Sequence, residues 1–149
     1  MTRLHALILV GALAAAAVGC DEPLNSIAGP TPNLTPTLSS IQKEIFNTQD
    51  STGRLACIQC HTNVGRNPSA GLNLIDGVSY QALVGVASGA KPGATRVVPG
   101  DPDHSYLLNK LIGGTDIVGA RMPRGTGPYL TEGQIRIIRR WIELGAKND

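Results

Sequence analysis

Five consecutive residues, Cys57-Ile58-Gln59-Cys60-His61, constrain this chain more than any other feature of it. Two thiols stand three positions apart, and an imidazole follows the second directly. That pattern is the attachment signature of a c-type haem. The thiols add across the two vinyl groups and fix the porphyrin covalently, so the neighbouring His61 is held under the iron as its proximal ligand. One short motif thus specifies a cofactor, its covalent bonds and one iron ligand.

Other uses of C-x-x-C make different demands on their surroundings. A thioredoxin-like dithiol needs a βαβ context, whereas the flanks here are Gly-rich loop with no strand pattern before them. A structural zinc site needs four Cys or His ligands, usually from a second pair. The remaining candidates, His5, His104 and Cys20, do not pair up. A disulfide between Cys57 and Cys60 stays open but leaves His61 unexplained.

The N-terminus agrees with an exported haem protein. Arg3 precedes an apolar, Ala-rich run from Ala6 to Val18, the pattern of a secretory signal peptide. The run is shorter than the roughly 20 residues a membrane-spanning helix needs. Ala17-Val18-Gly19-Cys20 resembles a bacterial lipobox, with Ala17 where Leu is usual. Cys20 is therefore a lipidation candidate, with simple secretion or an uncleaved anchor as the alternatives. A lipid on Cys20 and a haem on Cys57 and Cys60 would use all three cysteines of the chain. Covalent haem attachment in bacteria resembles a process completed outside the cytoplasmic membrane, so signal and motif support each other. The implied location is the periplasmic side of a bacterial membrane.

Three segments follow from composition: a signal peptide at 1–20, a Pro-rich linker at 21–36 and a domain at 37–149. The linker has four prolines in sixteen residues. At about 3.1 Å per residue in a polyproline-like state it would reach roughly 50 Å. Net charge is +2, and loss of Arg3 with the signal leaves +1; two haem propionates would make the protein slightly negative. Nothing in this balance points to nucleic acid. Arg136, Arg139 and Arg140 cluster near the end of the chain, where a solvated helix face accounts for them.

Helical spacing appears in short pieces. Thr37 or Ser39 can cap a helix carrying Leu38, Ile41, Ile45 and Phe46. Val78–Val84 and a segment beginning at Asp103-His104-Ser105 are two further helix candidates. Thr131 and Gln134 form a capping box before a last helix, with Ile135, Ile138, Trp141 and Ile142 on one face and Gly145 as its stop. No stretch shows convincing strand alternation, so the domain reads as all-α, short helices joined by loop. With 18 Gly, 10 Pro and only five aromatic side chains, its own core would be thin, and a haem macrocycle could supply the missing apolar centre.

A sixth iron ligand has two candidates after the signal, His104 and Met122. Met122 is the sole methionine beyond residue 1 and lies in a Pro/Gly-rich loop between two arginines. That loop could present a thioether to the open haem face. His104 lies beside Asp101 and Asp103 at a helix start.

The order of helix, C-x-x-C-H, loops, Met-Pro and final helix resembles the class I, mitochondrial-type cytochrome c fold. Gly71-Leu72-Asn73-Leu74, Val98-Pro99-Gly100-Asp101-Pro102, Met122-Pro123 and Trp141-Ile142-x-x-Gly145-Ala146 look like planctomycete-type bacterial cytochrome c modules. The resemblance covers about 41–147. It implies a small cytochrome c-like fold whose N- and C-terminal helices pack together, with Ile45 or Phe46 against Trp141. It also implies one covalent haem c held by Cys57 and Cys60, with His61 and Met122 as axial ligands. A backbone carbonyl near Pro68 would accept the other ring N–H of His61. The implied function is single-electron transfer to redox partner proteins, with the membrane reached through a lipid anchor. The alternative is a haem sensor or enzyme with a displaceable sixth ligand.

Overall fold

The computed structural model describes residues 31–125 and 127–149. The segment read as a signal peptide, Cys20 and most of the segment read as a linker lie outside these residues. The described chain is mostly helix and loop, and among the described residues no strand forms. The helices are α1 (Leu38–Ile41), α2 (Ser79–Leu83), α3 (Tyr106–Ile112) and α4 (Glu132–Glu143). α1 runs on into a π-helical turn, Gln42–Phe46, and two 3₁₀ turns occupy Cys57–Gln59 and Ser69–Gly71.

α1 starts where the sequence places it. Thr37 is the N-cap, and its hydroxyl accepts from the Ser40 N–H at 3.3 Å. The apolar stripe of Leu38, Ile41, Ile45 and Phe46 continues across the widening into the π turn, and all four side chains are buried. α4 has the expected capping box: Gln134 N–H donates to the Thr131 hydroxyl, and Thr131 N–H donates to Gln134 Oε1 at 2.9 Å. Its buried face differs by one position from the sequence reading. Ile137 is buried in company with Ile138, Trp141 and Ile142, while Ile135 is only half-buried. The end of α4 is a Schellman turn. Ala146 N–H donates to Trp141 O and Gly145 N–H to Ile142 O, with Gly145 at φ +98°.

The buried side chains of α1, its π extension and α4 belong to one hydrophobic cluster, joined by Leu83 of α2 and by Leu108 and Leu111 of α3. Two further differences from the sequence reading concern its edges. Leu34 is fully buried in this cluster, and Gln134 Nε2 donates to Thr31 Oγ1 at 3.1 Å. Residues 31–36 are therefore packed onto the domain rather than free as linker. The Gly/Pro-rich loop after α2 also doubles back on itself. Val84 bridges Val97, Ala87 bridges Thr95, and the Lys91–Ala94 turn closes the bend. The three C-terminal arginines are each paired with an acid: Arg136 with Glu132, Arg139 with Asp103 and Arg140 with Glu143.

Arg54 is the unexpected member of the interior. Its side chain is fully buried and its five N–H donors are all used. Nε donates to Asp50 Oδ2 at 3.0 Å, Nη1 to the carbonyls of Ile45 and Leu55, and Nη2 to those of Glu44 and Thr48. One guanidinium thus ties the end of the π turn to the segment entering Cys57. Burial raises the Asp50 pKa. Hydrogen bonds from Thr52 and the charge of Arg54 outweigh it and hold the carboxyl below its usual value. That contribution to stability is present above the ordinary carboxylate range and is lost as pH falls through the depressed native value. Arg54→Met should strand the Asp50 carboxylate and four carbonyls. Denaturant unfolding should show a loss of about 3–5 kcal/mol, the cost of removing one partner of a buried pair. A loss under about 1 kcal/mol, the worth of a surface pair, would contradict this account.

Candidate functional site

Cys57, Cys60 and His61 sit on one tight turn. Cys60 N–H and His61 N–H both donate to Cys57 O, at 3.2 and 2.9 Å. The turn therefore folds the backbone of Cys60 and His61 back onto that of Cys57. Both thiols are free, Cys57 half-buried and Cys60 exposed. Burial pushes the Cys57 thiol up to about 11, against the opposing charge of Arg54. A redox-active dithiol needs a thiol shifted the other way, so this environment disfavours that use.

His61 is fixed by the loop that follows it. Leu74 N–H donates to His61 O at 2.8 Å and Ser69 N–H donates to Cys60 O at 3.1 Å. The imidazole Nδ1 lies 3.2 Å from Leu72 O. A carbonyl can only accept, so Nδ1 carries the hydrogen and Nε2 presents its lone pair. The sequence reading placed this carbonyl near Pro68. It belongs instead to Leu72, four residues further on, because the Ser69–Gly71 turn carries the chain round before it meets the ring. Burial holds the imidazole below its usual pKa. The carbonyls of Leu72 and Ser69 oppose that, and the charges of Arg96 and Lys110 add to it. Burial thereby favours the neutral ring, the form a metal ligand takes.

The carbonyl-bearing loop is itself pinned. Arg96 Nη2 donates to Ala70 O at 3.0 Å and Nη1 to Ala82 O of α2 at 2.7 Å. Gly89 lies against the same loop, where a Cβ would stand 2.8 Å from Ala70 O. Neither Arg96 nor Gly89 carries a sequence signal that would single it out.

Met122 is half-buried and packs on the margin of the core, as do Cys57, Leu72, Val84 and Leu107. Its N–H donates to Lys110 O at 2.7 Å, and it is the charge of this same Lys110 that reaches His61. His104 is elsewhere in kind. Its side chain is 81% exposed, and its Nδ1 lies 2.7 Å from Asp101 Oδ2. Among the described residues, no group of three or more His, Cys, Asp and Glu side chains is placed to hold a metal ion.

The residues of the turn fit a covalent haem c. Two free thiols, one imidazole with Nε2 free and an apolar margin bearing a thioether are the donor set such a group takes. The Cys57 thiol rests 3.6 Å from Ile45 O, to which Arg54 Nη1 also donates at 3.2 Å. Conversion of the thiol to a thioether would remove the S–H donor and still leave that buried carbonyl satisfied. No protein-family model, curated protein or solved structure matches the chain.

Proposed function

We propose that this protein is a one-electron carrier of the cytochrome c type, holding one haem c on Cys57 and Cys60 with His61 and Met122 as axial ligands. The observation that carries the proposal is the state of His61. It stands directly after two free thiols, Nδ1 is bound to Leu72 O, Nε2 is left for iron, and burial favours the neutral ring. Support for the class I fold comes from the shared core of the helix before the motif and the helix at the end of the chain.

When bound, the haem supplies a metal that changes its charge by one electron. The chain's own part is to bind, orient and exclude. Cys57 and Cys60 fix the porphyrin edge, and Leu72 sets the rotation of the His61 ring. Met122 would supply a second ligand to the iron and so leave no open site for a substrate. A thioether donates weakly to ferric iron and so favours the reduced state. Leu72, Val84 and Leu107, half-buried at the edge of the core, would help keep water from the group.

Redox partner proteins supply and remove the electron, and a lipid on Cys20 holds the carrier at the periplasmic side of a bacterial membrane. The anchor rests on the lipobox-like sequence alone, since Cys20 lies outside the described residues. Cys20→Ala should move the protein from the membrane to the soluble fraction or leave the precursor uncleaved. Unchanged fractionation and processing would leave simple export in its place.

The experiment that tests the function is carbon monoxide binding by the reduced protein. A carrier closed by Met122 should bind the gas slowly and incompletely. Rapid, complete binding would replace the carrier with a sensor or enzyme.

A further inference from the structure

We propose that Lys110 is the positioning residue for Met122, a clamp that holds the thioether loop in register against α3 and so decides how readily the sixth ligand leaves the iron. The proposal rests on Met122 as an axial ligand and goes beyond it, to what keeps that ligand in place.

The loop from 113 to 121 has little order of its own. It leaves α3 at Gly113, and Gly113, Gly114 and Gly119 all have positive φ. Its backbone finds partners on α3 instead. Lys110 meets it three times: Nζ donates to Val118 O at 2.9 Å and to Ala120 O, and Lys110 O accepts from Met122 N–H at 2.7 Å. The three contacted residues are alternate ones, 118, 120 and 122, so one side chain and its own carbonyl fix the register of the segment that ends at the sulfur. A slip of one residue would break all three bonds at once. An ammonium donating to carbonyls makes stronger bonds than a neutral donor does.

Neighbouring contacts brace the same segment but reach it at other points. Arg121 Nε donates to Leu111 O at 2.7 Å, with its guanidinium 4.1 Å from the centre of the Tyr129 ring. Tyr106 OH accepts from Val118 N–H at 2.9 Å, and Lys91 pairs with Asp116. Among the described residues, only Lys110 bonds both the approach to Met122 and Met122 itself. The clamp is invisible in the sequence because its partners are main-chain carbonyls.

The test uses the full chain matured with its haem. Lys110→Met keeps the stem and removes the donors; Lys110→Arg keeps charged donors. Lys110→Met should weaken the far-red sulfur-to-iron band of the oxidised protein and speed carbon monoxide binding to the reduced protein at least tenfold, a factor equal to about 1.4 kcal/mol, with the haem still covalently attached. Lys110→Arg should restore most of both properties. An Lys110→Met protein that unfolds more easily but keeps its band and its gas-binding rate would overturn the proposal, because the lysine would then be structural only. Met122→Ala separates the two ideas. If it abolishes the band while Lys110→Met leaves it intact, the clamp fails and the ligand stands; if it leaves the band intact, the ligand reading fails and takes the clamp with it. Should Lys110→Met not yield holoprotein, amide hydrogen exchange of the wild type decides. The Met122 amide, which donates to Lys110 O, should exchange far more slowly than those of Gly114 and Thr115, and equal rates would overturn the clamp.

Discussion

Cys57→Ala with Cys60→Ala should abolish covalent haem altogether. Acid–acetone should fail to extract the haem from the wild-type protein, and a denaturing gel should retain haem peroxidase stain; the double variant should lose both. The expectation follows from chemistry rather than from affinity. Two thioethers keep the cofactor attached through unfolding, whereas axial bonds alone are broken by acid. The structure adds a reason to expect an all-or-none result. Cys57 and Cys60 share one turn closed by two bonds to Cys57 O, so a haem held by one thiol would be held beside the other. Free extraction of the wild-type haem would sink the central claim, and a disulfide or dithiol would then be the use of the pair.

Met122→Ala should have the next largest effect, and of a different kind. The haem should stay attached, while the far-red sulfur-to-iron band disappears, the reduction potential falls and carbon monoxide binds rapidly to the reduced iron. Axial ligands set haem potentials over a span of roughly 0.8 V, so the fall should be a substantial fraction of that range. Met122→His should retain six-coordination and still lower the potential, because imidazole donates more strongly to ferric iron. His104→Ala should change none of these properties. Its side chain is 81% exposed and held by Asp101 at 2.7 Å; the bond from His104 and its charge keep the Asp101 carboxyl below its usual value. A ligation spectrum altered by His104→Ala alone would name the wrong residue as the sixth ligand.

The contrast between these site residues and their supports shows what a sequence can say. Cys57, Cys60 and His61 stand out in the sequence because the chemistry proposed for them is local, written within five positions. The caps of α1 and α4 are legible for a related reason: a hydroxyl must stand three residues before the N–H it accepts. Arg54, Arg96 and Lys110 are not legible. Each bonds main-chain carbonyls, which every residue owns, so no partner side chain marks the pairing. The misplaced carbonyl at Pro68 has the same origin, since the turn at Ser69–Gly71 decides which carbonyl meets His61. Leu34 was hidden by company, being one leucine among prolines, yet it is fully buried. Ile137 in place of Ile135 reflects packing, since α4 buries residues at 134, 137, 138, 141 and 142, the spacing of a face inclined to the helix axis.

The first turn of α1 depends on a residue more than a hundred positions away. Leu38 N–H donates to Asp149 Oδ1 at 2.9 Å, and Ser39 N–H donates to Asp149 O at 2.9 Å. Those two amides bond only once residue 149 is in place, so the helix that opens the domain is closed from the far end of the chain, and the two ends of the fold are secured together rather than in turn.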